Sequence, residues 1–138
     1  MTVFADACYW IAVLNPKDSL HQSAQEASDR LGPTRIVTSQ MVLAETLNGL
    51  SGRGEPLRAA AVKMIGELER SPNVGIVPQT SLQFHSAMRR YDSRRDKEWG
   101  LTDCSSFLIM EEKGLTDALT GDRHFEQAGF AVLMKQDE

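Results

Sequence analysis

Four carboxylates carry the chemistry open to this chain. Asp6 ends the apolar run Val3-Phe4-Ala5, Glu45 stands in a helical stretch, Asp103 opens another, and Asp122 follows a second short run, Ala118-Leu119-Thr120. An acid at the carboxyl end of a buried parallel strand faces the crevice in which open α/β sheets bind ligands. An unpaired charge in that place is expensive. Asp6 is followed by Ala7, Cys8, Tyr9, Trp10 and Ile11, surroundings foreign to a solvated turn acid. Glu45 has two readings: at roughly 100° per residue it projects between Met41 and Val42, at the edge of the apolar stripe, yet helix glutamates are usually wet. Asp103 either complements a helix dipole from the first turn or, sharing a face with Phe107 and Met110, points inward. Asp122 is a cap or Asx turn before His124-Phe125, a ligand, or both. Asp117, at the entrance of the same strand, belongs to the opposite sheet edge and reads as structural.

Carboxylates gathered within a few ångströms repel one another, which a hard divalent cation relieves by coordination. Mg²⁺ or Mn²⁺ suits such a set, and Mg²⁺ keeps several waters, leaving room for a phosphate oxygen and an attacking water. That is phosphodiester chemistry in outline. Cys8 and Cys104 lack a CxxC partner, and His21, His85 and His124 lack a zinc-type spacing, so zinc is not expected. His21 and His85 read as structural; His124, two residues from Asp122, is placed to support it.

The elements that must position these acids alternate along the chain. Val3 to Ala5 reads as a strand, and 18–31 as a helix opened by Ser19 with Gln22 in capping-box register, stopped by Gly32-Pro33. Ile36 to Thr38 is a second strand, after which Ser39 caps a helix carrying Met41, Val42, Leu43, Leu47 and Leu50 until Gly52 and Gly54. A helix follows from Pro56 to Arg70. Val74 to Val77 is the third strand, and Thr80-x-x-Gln83 starts a helix whose Phe84, Ala87, Met88 and Tyr91 share one face, assigned here to the core. Thr102 caps a helix through Lys113, Gly114 ends it, Ala118 to Thr120 is a fourth strand and Ala131 to Met134 a fifth. This order predicts an α/β fold, a mainly parallel five-stranded sheet covered by helices on both faces.

At 138 residues and 41% hydrophobic composition the expectation is one domain, 1–138, with an adequate core and no need of disulfides. The longest apolar stretch, Ala7 to Leu14, falls short of the roughly 20 residues of a membrane span. No basic and apolar leader precedes the first strand, so a reducing cytoplasm is the expected location. A net charge of −4 argues against wrapping nucleic acid over the whole surface, so any such contact is local.

Asp6 after its strand, Leu43-Ala44-Glu45, Leu101-Thr102-Asp103-Cys104-Ser105 and the run Ala118 to Phe125 together resemble the PIN-domain ribonucleases. The likeness runs along the whole chain. Its size and the closing His124 to Phe130 stretch are most similar to the short toxins of bacterial and archaeal toxin–antitoxin pairs, the VapC type. The resemblance implies a three-layer α/β/α PIN-like fold and a Mg²⁺- or Mn²⁺-dependent endoribonuclease. Asp6, Glu45, Asp103 and Asp122 match the family's acidic quartet, with Thr120 and Ser105 as neighbouring hydroxyls that support it. It further implies a homodimer and an antitoxin that inserts a segment, often with an arginine, into the acidic crevice.

On that footing the acids hold one or two cations, water attacks phosphorus in line, and Glu45 or Asp122 orients it. Arg89, Arg90, Arg94, Arg95 and Lys97 are the candidate RNA-backbone contacts, against the alternative of a solvated face ion-paired to Asp92 and Asp96. Trp10 and Trp99 either stack a base at the crevice rim or fill the core. A housekeeping PIN-type nuclease and a non-catalytic RNA- or partner-binding module on the same scaffold are the rival readings. A phosphoryl-accepting switch domain lacks its late-strand Lys, and a haloacid-dehalogenase-like site lacks a second Asp at position 8, which is Cys8.

Overall fold

A computed structural model describes residues 1–134. Five strands form one parallel sheet: β1 (Thr2–Ala5), β2 (Arg35–Ser39), β3 (Val74–Val77), β4 (Asp117–Leu119) and β5 (Ala131–Val132). Their spatial order is β3-β2-β1-β4-β5. The chain builds outward from β1 to β3, then crosses back to lay β4 on the other side of β1. The order therefore reverses between β1 and β4, and the crevice expected at such a switch point opens at their carboxyl ends. Asp6 and the 120–122 segment stand there.

Seven helices complete the three-layer α/β/α arrangement among the described residues: α1 (Ala7–Leu14), α2 (His21–Leu31), α3 (Gln40–Leu50), α4 (Glu55–Arg70), α5 (Ser81–Ser93), α6 (Leu101–Lys113) and α7 (Arg123–Gln127). Val3, Phe4, Ala5, Val42, Phe107, Met110, Ala118, Leu119 and Phe125 are fully or almost fully buried in one apolar cluster. Edge-on rings tie α6 to α7, with Phe107 and Phe125 centroids 5.0 Å apart. No helix among the described residues is long and apolar enough to cross a membrane. Cys8 and Cys104 are free thiols.

Most boundaries fall within two or three residues of the sequence expectation, and the differences have local causes. Ser39 accepts from the Val42 N–H and Thr80 from the Gln83 N–H, so both expected caps exist. Ser19 caps nothing: Asp18 Oδ1 takes the Leu20 N–H in an Asx turn, and α2 begins only at His21. Thr102 lies inside α6, whose N-cap is Gly100, two residues earlier. The fourth strand begins at Asp117 and ends before Thr120, and the fifth is two residues long. The apolar run 7–14, to which the pattern assigned no element, is α1, with Asp6 as its N-cap residue.

The largest correction concerns α5. Ala87 is buried, but Phe84, Met88 and Tyr91 are 37, 44 and 55% exposed, so that stripe faces out. A bidentate ion pair from Arg90 to Glu111, at 2.7 and 3.1 Å, joins α5 to α6 from the other side. Trp10 and Trp99 take the core alternative, each 5% exposed, their indole N–H groups donating to Thr38 Oγ1 and Gln127 Oε1.

Candidate active site

Asp6, Asp103 and Asp122 meet at the switch point, and Glu45 acts on Asp6 from α3. Asp6 follows β1 directly; its backbone N–H donates to the Leu119 carbonyl, so β1 and β4 remain paired up to the site. Its carboxyl group is 4% exposed. Oδ2 accepts the Thr120 hydroxyl at 3.0 Å, and Thr120 Oγ1 in turn accepts the Asp122 N–H at 3.1 Å. Oδ1 is buried, and among the described residues no donor lies at bonding geometry to it. Burial, then the nearby charges of Asp103 and Glu45, push Asp6 up from 3.8 to about 7, against the opposing pull of the Ala7 N–H.

Asp103 sits in the first turn of α6, half-buried. Its Oδ2 accepts the Gly100 backbone N–H at 3.0 Å, which caps the helix, and lies 3.1 Å from His124 Nδ1. Burial raises its carboxyl group; the Asp122 charge adds to this, while Gly100 and His124 oppose it. Asp122 accepts the His124 N–H through Oδ1 at 2.9 Å and so caps α7, and His124 Nδ1 stands 3.4 Å from the same oxygen. One ligand atom each from Asp103, Asp122 and His124 lies within 4.8 Å of the others. Glu45, on the exposed side of α3, is near enough to raise Asp6 electrostatically.

A shared set of anions with a buried, unpartnered carboxylate oxygen among them lacks positive charge, and no arginine or lysine is paired to Asp6, Asp103 or Asp122 among the described residues. All-oxygen donors of this kind suit a hard divalent cation, so the residues fit one. A groove of about 630 Å³ between β3, α5 and α6, lined by Pro78, Gln83, Leu108 and Glu111 among others, contains none of the four acids. Volume alone does not mark the reactive place here.

The four acids come from positions 6, 45, 103 and 122, and a family model described as "PIN domain" matches residues 3–131. The chain belongs to the PIN-domain family. Two strains of Mycobacterium tuberculosis hold a relative, the 23S rRNA-specific endonuclease VapC20, 28% identical over 134 residues, which are 95% of this chain and 97% of that one. The crystal structure of VapC20, described as a sarcin–ricin loop cleaving toxin, superposes with a TM-score of 0.84 over 96% of this chain and 99% of that one, at 28% identity. The FitAcB structure from Neisseria gonorrhoeae shares the fold, with a TM-score of 0.60 and 18% identity over 96% of each chain.

Other residues of this PIN domain fall differently from expectation. Thr120 holds two acids at once. Ser105 is buried, but its hydroxyl bonds to none of them. Arg94 pairs with Asp96 and Arg95 with Asp92, the local ion pairs the sequence allowed. Arg89 donates to Ser86 Oγ, and neither it nor Lys97 makes an ion pair among the described residues. Arg94 also lies over the Trp99 ring, 5.0 Å from its centroid. Sequence reasoning gave His124 only to Asp122 and missed its contact with Asp103. It also missed the Gly100 N–H, although glycine three residues before an acid at a helix start is a legible signal.

The hydroxyl of Thr120 has a measurable weight. Thr120→Val keeps the volume but strips a donor from Asp6 and an acceptor from the Asp122 N–H, so urea denaturation should show a loss of about 1–3 kcal/mol. Ser105→Ala removes a hydroxyl with no partner and should cost well under that, or stabilise.

Proposed function

We propose that this protein is an endoribonuclease that hydrolyses RNA phosphodiester bonds with a divalent cation, Mg²⁺ or Mn²⁺, as the toxin of a toxin–antitoxin pair in the cytoplasm. The observation that carries the reading is the gathering of Asp6, Asp103 and Asp122, with Glu45 near enough to act on Asp6 and with Asp6 Oδ1 buried and unpartnered. The similarity to VapC20 along nearly the whole of both chains supports the substrate class. In this reading the chain is a single PIN-like domain, and the last four positions of the expected span 1–138 lie outside the described residues.

Asp6, Asp103 and Asp122 would hold the cation, which when bound supplies the positive charge that acidifies water and offsets charge on the phosphate oxygens. The protein supplies the rest. The Thr120 hydroxyl fixes Asp6 through Oδ2, so that Oδ1 faces the crevice. The Gly100 N–H fixes Asp103 at the mouth of α6. Glu45, whose carboxylate makes no hydrogen bond among the described residues, is the freer of the two acids for taking the proton of the attacking water; Asp122 Oδ1 is already engaged by the His124 N–H. No side-chain nucleophile is required.

RNA binding on an acidic protein falls to the segment 89–97. Among the described residues Arg89 and Lys97 have no acid paired to them, and exposed ion pairs such as Arg94 with Asp96 are weak enough to exchange for phosphate. The triple change Arg89→Ala, Arg94→Ala, Lys97→Ala should weaken RNA binding and lower the slope of log K against log salt by about 2 for a single strand, at a stability cost of about 1 kcal/mol or less from the lost Arg94–Trp99 contact. Filter binding at several salt concentrations checks it.

An antitoxin arginine would neutralise the acids that a cation otherwise holds, and a second copy of the chain is the expected further partner. Sedimentation of the purified protein reads the copy number. Exposed Phe84, Met88 and Tyr91 offer apolar surface of the kind association buries.

The activity test is direct. Purified protein with total RNA or 23S rRNA in Mn²⁺ should give discrete fragments, and a chelator should stop it. Intact RNA under both conditions, with binding retained, would turn the reading into that of a non-catalytic RNA-binding module.

A further inference from the structure

The nuclease reading assigns the cation to carboxylates and leaves His124 unexplained. Its side chain is only 30% exposed and is held between two acids, Nδ1 being 3.1 Å from Asp103 Oδ2 and 3.4 Å from Asp122 Oδ1. Adjacent ligands of a six-coordinate cation with bonds of about 2.1 Å stand on the order of 3 Å apart, so these separations already match ligand-to-ligand edges. The three donor atoms span no more than 4.8 Å, about the reach across such an ion. An independent sign of a cation site lies beside them: Asp6 Oδ1 is buried and unpartnered, and Asp103 is the strongest like charge acting on Asp6.

We propose that His124 Nδ1 joins Asp103 and Asp122 as a direct protein ligand of the cation, so that this position prefers a first-row transition dication to Mg²⁺. The inference rests on the nuclease reading for the cation's use, not for its binding. An imidazole nitrogen binds Mg²⁺ poorly, and its affinity rises from Mn²⁺ to Co²⁺, whereas oxygen-only sites accept Mg²⁺ readily. Coordination requires the neutral ring with its proton on Nε2, so the Nδ1 lone pair replaces the hydrogen bond to Asp103.

The test uses the whole chain and reads the ion, not turnover. Pulsed electron paramagnetic resonance of the Mn²⁺-loaded wild type should show a directly bound ¹⁴N coupling that His124→Gln abolishes. Calorimetry should find Co²⁺ bound more than tenfold tighter than Mg²⁺ by the wild type. In His124→Gln that preference should fall at least tenfold while Mg²⁺ affinity stays within about threefold. Bound Mn²⁺ with no nitrogen coupling overturns the proposal, as does an equal loss of Co²⁺ and Mg²⁺ binding, which would make His124 a positioning donor to Asp103. Absence of any bound ion overturns it too. RNA left uncut by protein that does show the coupling would sink the nuclease reading and leave this ligand in place.

Discussion

Asp6→Asn should abolish RNA cleavage, by on the order of 10³-fold, and at the same time make the cation-free protein more stable at pH 8. The loss follows from removing the most buried of the acids assigned to the cation, whose compensation of charge on the phosphate oxygens is worth several kcal/mol. The gain follows from the same burial. Asp6 titrates at about 7 in the folded protein against 3.8 as its ordinary value. The folded state therefore binds a proton that the unfolded chain has released, and the wild type is favoured by it fully below about pH 4. That advantage disappears as pH rises through 7. Integrated over the gap it amounts to about 4 kcal/mol as an upper figure. Asparagine does not titrate, keeps an oxygen for the Thr120 hydroxyl, and flattens the curve. Urea denaturation in chelator at pH 5 and pH 8 reads both proteins. Parallel pH dependence of the two would refute the burial of an Asp6 carboxyl group that titrates near 7.

This coupling of stability to site explains which parts of the molecule were legible beforehand. Asp6 was readable because a charge embedded between Val3-Phe4-Ala5 and Ala7-Cys8-Tyr9 has no solvent-facing explanation, and the parallel sheet was readable because strands and helices alternate. α1 was not: Ala7 to Leu14 is apolar all round, so it shows neither a period of two nor of 3.6. α5 misled for the opposite reason. Its pattern is strongly periodic, but periodicity shows that a stripe exists and not which way the helix is turned. The orientation is set by buried Ala87 and by Arg90 reaching Glu111, a partner 21 residues away. The same distinction runs through the site. Contacts between near neighbours, Arg94 with Asp96, Arg95 with Asp92 and His124 with Asp122, could be anticipated from spacing. The contacts that assemble the crevice, Thr120 with Asp6 over 114 residues and His124 with Asp103 over 21, exist only once β1, β4 and α6 are packed.

Asp103→Asn is the second change with a large expected effect, and in cells it separates a toxin from a housekeeping nuclease. Asparagine retains an oxygen to accept the Gly100 N–H, so the start of α6 should survive; what goes is one negative charge beside Asp6 and Asp122. Removing that charge relieves Asp6, whose raised titration owes part of its size to Asp103. The variant should therefore fold at least as well as the wild type while cleaving RNA on the order of 10²-fold more slowly or worse. Induced in a bacterium without the cognate antitoxin, the wild type should arrest growth within a few generations and Asp103→Asn should not, at equal protein levels by immunoblot. Equal arrest by both would detach toxicity from the acids. Wild-type cells that grow normally, from protein that cuts RNA in vitro, would assign the activity to housekeeping turnover. The comparison is informative because the substitution removes charge without removing structure: the helix cap that holds the 103 side chain in place depends on its oxygen, and the chemistry on its ionisation.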